Sequence, residues 1–216
     1  APLGVPLFAS IFAHDLPAFG EVARIIAEAT PDLIEVNISC PNVANEFGMP
    51  FSSSAQSAAA VTREVRRAVN LPISIKLAPN VPDIGGIAQA VAEEGADAIT
   101  AVNTMPAMLI DAYAAKPVLN NRTGGLSGAA LKPIALRCVA EIASRISLPI
   151  IGTGGVTQGL DAVEMIMAGA TLVGVGSAIW QAGPQVMSSI SSEIQHFMDA
   201  EGYHSSAHFG LGVQFF

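Results

Sequence analysis

The chain has 216 residues, 51% of them hydrophobic and 13% charged, with 20 glycines and 14 prolines. That composition excludes a disordered segment and describes a core-forming chain with many tight turns. A formal net charge of −8, with ten Lys plus Arg, argues against a nucleic-acid-binding face, so any anionic ligand must be met by local donors.

Taken in order, Leu7 to Phe12 read as a short buried strand. Asp15 to Pro17 mark a helix start, and Phe19, Val22, Ile25 and Ile26 continue it at helical spacing to Ala29. Leu33 to Ser39 form the next strand, which Pro41 ends. Residues 43–54 carry Gly48, Pro50 and three serines and read as a loop before a helix from Ala55 to Val69. Ile73 to Leu77 is a strand, Ile84 to Glu94 a helix, and Ala98 to Val102 a strand. Residues 105–128 read as a long loop, and loops of that length in a compact domain are usually functional. Leu131 to Ser147 is a helix, Ile150 to Thr153 a strand, Leu160 to Ala168 a helix, Leu172 to Val175 a strand, and Gln185 to Met198 a last amphipathic helix.

Short, largely apolar strands alternating with helices predict an α/β fold with a parallel sheet. The leading architecture is a (β/α)8 TIM barrel, whose chemistry collects at the carboxyl ends of its strands. A doubly wound sheet is the alternative, but no Gly-rich turn follows the first strand. Six candidate strands fall short of a closed barrel of that type. Residues 1–216 are therefore expected to be one incomplete barrel domain, with two further β/α units before Ala1.

Two cysteines, Cys40 and Cys138, make no disulfide framework and fit a reducing compartment. With no long apolar run and no signal-peptide pattern, a cytoplasmic protein without a membrane partner is expected. Cys40 lies where a strand meets a loop, between the amides Asn37 and Asn42. Such a thiol suits proton abstraction from a small polar heterocycle; an inert buried thiol is the alternative. Lys76 ends an otherwise largely apolar strand, so a charge turned into a barrel mouth there needs an anionic or electron-rich partner, unless it snorkels to the rim. Asn103 and Thr104 offer an amide and a hydroxyl at the end of the next strand. Gly152-Thr-Gly-Gly-Val156 and Gly174-Val-Gly-Ser177 end the last two strands, and paired Gly-rich turns there make a phosphate site. The four histidines show no metal spacing and read as exposed, and Cys138 reads as structural.

Asn37-Ile-Ser-Cys-Pro-Asn42, Lys76 within Ile-Lys-Leu-Ala-Pro, Val102-Asn-Thr104, Gly124-Gly-Leu-Ser-Gly128 and the two Gly-rich turns together resemble the dihydroorotate dehydrogenase family, flavin enzymes on a (β/α)8 barrel. The resemblance runs from Pro6 to about Ser177 and points to class 1, which has a cysteine at position 40. It implies oxidation of dihydroorotate to orotate in pyrimidine biosynthesis, with FMN as cofactor and Cys40 as catalytic base. Asn37 would touch both flavin and substrate, and Asn42, Asn103 and Thr104 would bind the pyrimidine. Lys76 would lie by the flavin ring, and Val102, Gly128, Gly154, Gly155, Gly176 and Ser177 would line the FMN site. Ser10, where many members have Asn, is a further expected flavin contact. A homo-oligomer is implied, and an electron-transfer partner subunit if NAD is the acceptor; fumarate would need none. The alternatives are a related FMN enzyme acting on other dihydropyrimidines and a non-catalytic flavin-binding subunit. The family's N-terminal lysine and Asn-rich substrate loop have no counterpart in these residues.

Overall fold

The structure is a computed structural model that describes residues 4–39 and 51–211. Its strands are β1 (Phe8–Ile11), β2 (Leu33–Asn37), β3 (Ile73–Leu77), β4 (Ala98–Ala101), β5 (Met105–Ala107), β6 (Ile110–Asp111), β7 (Lys116–Pro117), β8 (Gly124–Leu126), β9 (Ile150–Thr153) and β10 (Leu172–Gly174). The helices are α1 (Leu16–Ala27), α2 (Ala55–Ala68), α3 (Ile84–Glu93), α4 (Lys132–Ala143), α5 (Gly159–Met167), α6 (Ser177–Ala182) and α7 (Val186–Glu201). Six strands form one parallel sheet in the order β1-β2-β3-β4-β9-β10, with helices alternating along the chain. This fits the expected incomplete barrel, a curled parallel sheet of six strands where a closed barrel of this type has eight.

The register explains which residues reach the site. Parallel pairing sets Ser10 beside Glu35, Glu35 beside Ser74, Asn37 beside Lys76 and Lys76 beside Thr100. Side chains alternate across a strand. These polar residues therefore share the face that would line a barrel's interior. The residues between them, Ile34, Val36, Ile73, Ile75, Leu77 and Ile99, are at most 1% exposed and belong to the core under the helices. The strands are thus two-sided, not uniformly apolar: every second position carries polarity inward.

Local signals set the helix starts. Asp15, Ser54 and Asp83 each accept a hydrogen bond from a backbone N–H three residues on, satisfying donors that the helix leaves free. At the amino ends of β3 and β4, Asp97 accepts from the backbone N–H of Ile73 and from Arg66, and Arg66 also donates to the carbonyls of Val69 and Leu71. This end of the sheet is fastened by charge; the carboxyl end is left to loops.

Two segments differ from the sequence reading. Residues 105–128 are not a plain loop but a two-tier arm, with β5 antiparallel to β8 and β6 antiparallel to β7 beyond them. Its strands are only two or three residues long and contain Pro and Gly, so strand propensity gives no signal. The six-residue helix α6 after the second Gly-rich turn is likewise too short for periodicity to reveal.

A buried carboxylate ties α4 to the turn before α5. Asp161, 3% exposed, accepts from the backbone N–H groups of Thr157 and Gln158, from the Thr157 hydroxyl and from Lys132 Nζ. Burial pushes its carboxyl up, but the hydrogen bonds from Lys132 and Thr157 outweigh burial and hold it below the usual carboxylate range. A depressed carboxylate contributes stability that is present above its unfolded pKa and lost as pH falls through its folded one. Asp161→Asn is expected to lower the unfolding free energy at pH 7 by about 2–3 kcal/mol, less than a fully buried pair because Lys132 is partly exposed. The difference from wild type should shrink as pH drops below about 4. Urea unfolding of both proteins at pH 7 and pH 3 checks this, and a difference independent of pH would contradict it.

Candidate functional site

The carboxyl ends of β3, β4, β9 and β10 surround a cleft of about 140 Å³. Its lining includes Lys76, Val102, Asn103, Thr104, Gly128, Gly154, Gly155, Gly176 and Ser177, joined by Ser127, Leu131, Thr153 and Gly174. A complete small-molecule pocket is roughly 300–1,000 Å³, so this cleft would hold only part of a ligand. A second hollow of about 290 Å³ adjoins it, sharing Thr104 and lined also by Ser39, Ser52, Ser53, Asn80, Pro106 and Gly125.

Between the two lies an uncharged polar network. Asn37 Oδ1 accepts from the backbone N–H and hydroxyl of Ser39, at 3.2 and 2.9 Å, and from Asn103 Nδ2 at 3.4 Å. Asn103 Nδ2 also donates to Ser39 Oγ at 2.8 Å, and Asn103 Oδ1 accepts the Thr104 N–H at 2.8 Å. These bonds fix both amides in orientation, so their remaining donors and acceptors are held in a set pattern. Thr104 is fixed in turn by the arm: a Cβ on Gly125 would lie 2.1 Å from Thr104 Oγ1, so only glycine lets β8 lie flat on it.

The glycine wall divides into two kinds of position. A Cβ on Gly155 would come within 2.6 Å of the Lys132 backbone nitrogen at the start of α4, and one on Gly154 within 2.9 Å of Ala135 Cβ. Both have positive φ, +130° at Gly154 and +78° at Gly155. These two glycines let the β9 turn sit against α4. Their missing side chains point at protein, whereas a Cβ on Gly176 would meet no atom within 4 Å. Gly176 is where an added side chain would enter open space beside the cleft.

Lys76 finds the anionic partner its position calls for, within the chain. Its Nζ lies 3.2 Å from Glu35 Oε1, and the same oxygen accepts the Ser10 hydroxyl at 2.9 Å. Sequence reasoning missed Glu35, although its spacing of two from Asn37 was a readable signal that both face inward. Ser10 is brought to Glu35 rather than to the cleft. Cys40 and Asn42 lie outside the described residues. Cys138 is buried in α4, where burial raises its thiol pKa, and all four histidines are exposed. Among the described residues no cluster of His, Cys, Asp and Glu could hold a metal ion, and no helix is long and apolar enough to cross a membrane.

Parallel β/α architecture with a polar cleft at the strands' carboxyl ends defines a barrel-type protein whose cleft lies where that fold usually carries its chemistry. The family model described as dihydroorotate dehydrogenase matches residues 3–198, and the chain belongs to that family. It is 44% identical over 199 residues, 92% of this chain and 63% of the relative, to the dihydroorotate dehydrogenase B (NAD(+)) catalytic subunit of Methanosarcina acetivorans. It is 41% identical to the protein of the same name from Bacillus pumilus, over 93% of this chain and 64% of the relative. It is also 47% identical to dihydroorotate dehydrogenase A (fumarate) of Lacticaseibacillus paracasei, over 81% of this chain and 60% of the relative. The chain thus spans 60–64% of the length of these relatives.

The two kinds of glycine should separate in stability. Gly155→Ala is expected to destabilise the protein by about 1–3 kcal/mol, through a positive φ and a collision with α4. Gly176→Ala should cost less than Gly155→Ala. Thermal unfolding of both variants beside wild type checks the order, and an inverted order would contradict the assignment of the two turns.

Proposed function

We propose that this chain is the flavin-holding, base-bearing part of a class 1 dihydroorotate dehydrogenase, an enzyme that oxidises dihydroorotate to orotate in pyrimidine biosynthesis. The observation that carries the reading is convergence. Motif residues from four strand ends, Lys76, Asn103 with Thr104, Gly154 with Gly155, and Gly176 with Ser177, line one cleft in a chain of this family. The names of the relatives favour dihydroorotate over other dihydropyrimidines and an enzyme over a binding subunit.

The residues present fit FMN. Two glycine turns offer backbone N–H groups, Ser177 a hydroxyl, and Gly176 open space, which is how an acidic chain can accept a phosphate without a cluster of cations. FMN, when bound, supplies the acceptor for hydride. Gly128, Gly154, Gly155, Gly176 and Ser177 would hold its phosphate end, Val102 would pack beside it, and Lys76 would offer positive charge toward the ring. Ser10 acts through Glu35, and Asn37 reaches both ligands. Asn103 and Thr104, with Asn42, orient the pyrimidine through amide and hydroxyl hydrogen bonds. Cys40 takes the C5 proton of dihydroorotate on Sγ as hydride leaves C6. A thiol serves as such a base near neutral pH once its pKa falls below the ordinary value of about 8.5.

The relatives named as NAD(+) catalytic subunits support transfer of the electrons to NAD through a partner subunit. Pull-down from the native source should recover that subunit, and turnover with fumarate alone would replace this acceptor.

The central test uses the intact protein. Its flavin spectrum should bleach on addition of dihydroorotate. Cys40→Ala should keep its flavin and lose turnover, and Cys40→Ser should retain weak activity that rises with pH. Wild-type rates in the alanine variant, or a yellow protein that dihydroorotate does not bleach, would overturn the reading.

A further inference from the structure

Among the described strand residues, Glu35 is the sole acidic side chain on the inward face, and it does not itself line the cleft. It stands between two tethers. Ser10 Oγ on β1 donates to its Oε1 at 2.9 Å, and Lys76 Nζ on β3 donates to the same oxygen at 3.2 Å. Register makes this inevitable: Ser10 pairs beside Glu35, and Lys76 lies one diagonal further, beside Asn37. A lysine has a flexible four-carbon stem and no preferred fork, so it needs an acceptor to hold it in one place. The pair is 22% and 17% exposed at its side chains, so water screens it less than a surface pair.

We propose that Glu35 is a positioning residue that fixes Lys76 at the cleft and offsets its charge, and so sets the electron affinity of the bound flavin. The proposal rests on the reading that the cleft takes FMN. With the pair intact, the cleft meets a cation whose charge is largely balanced from below. Remove the carboxylate charge, and Lys76 faces the cleft alone. Extra negative charge on the ring is then more favourable, and the reduction potential rises.

The test is the flavin reduction potential of the intact protein, poised against a reference dye and read by absorbance. Glu35→Gln should shift the reduced-to-oxidised ratio at fixed poise at least tenfold toward reduced, about 30 mV for a two-electron couple. Lys76→Gln should shift it the opposite way. Glu35→Asp keeps the charge and should stay within about threefold of wild type. An unchanged potential in a yellow Glu35→Gln protein overturns the proposal. So does a tenfold departure in Glu35→Asp, which keeps the question answerable if the glutamine variant holds no flavin. A wild-type protein that takes up no FMN overturns the underlying reading instead.

Discussion

Parallel strands place every second side chain on the same face, and neighbouring strands in register add those positions into rows. That constraint governs this molecule. One face is a continuous sheet of Ile, Val and Leu sealed under helices. The other is a row of Ser10, Glu35, Asn37, Ser74, Lys76 and Thr100. The second row is tolerable because its members satisfy one another: Ser74 bonds Thr100 at 2.8 Å, and Glu35 bonds both Ser10 and Lys76. Among the described residues no buried side-chain nitrogen or oxygen lacks a partner. A slip of one residue in β2 would send Glu35 and Asn37 under the helices and Ile34 and Val36 inward, so the polar row also fixes the register.

The two ends of the sheet divide the work. At the amino end Arg66 and Asp97 bind backbone and side chain into a fastening that faces no cleft. At the carboxyl end glycines, amides and hydroxyls line the cleft, with the Lys76–Glu35 pair on the strands and the Lys132–Asp161 pair behind the β9 turn. The second pair is structural: it holds the start of α4 near the turn that Gly154 and Gly155 make. Of the first, Lys76 lines the cleft.

Much of this was legible in the sequence, and the reasons differ by element. The six parallel strands and the longer helices announced themselves because an apolar run beside a helical period is a long-range signal carried by many residues. The cleft was legible because its residues sit at strand ends in runs that break the pattern: Asn103-Thr104 after Ala101, Gly154-Gly155 after Thr153. Glu35 was not read, since it lies inside the strand and reads as an interruption until the register sets it beside Ser10 and near Lys76. The arm of 105–128 was hidden because its strands are held by pairing and not by their own propensity. The orientation of the Gly154 and Gly155 side-chain vectors, toward α4 and not the cleft, depends on helix placement that no local pattern encodes.

That arm meets the site along its base, where Pro106 and Gly125 line the second hollow and Ser127 and Gly128, just past β8, line the cleft. Its outer part carries Met108, Leu109, Ile110 and Tyr113, all exposed, while its return strand rests with Gly125 against Thr104. Thr104 is a wall of both hollows and is bonded to Asn103. The arm and both hollows therefore share Thr104, so a side chain added at Gly125 would press on the one residue that walls both.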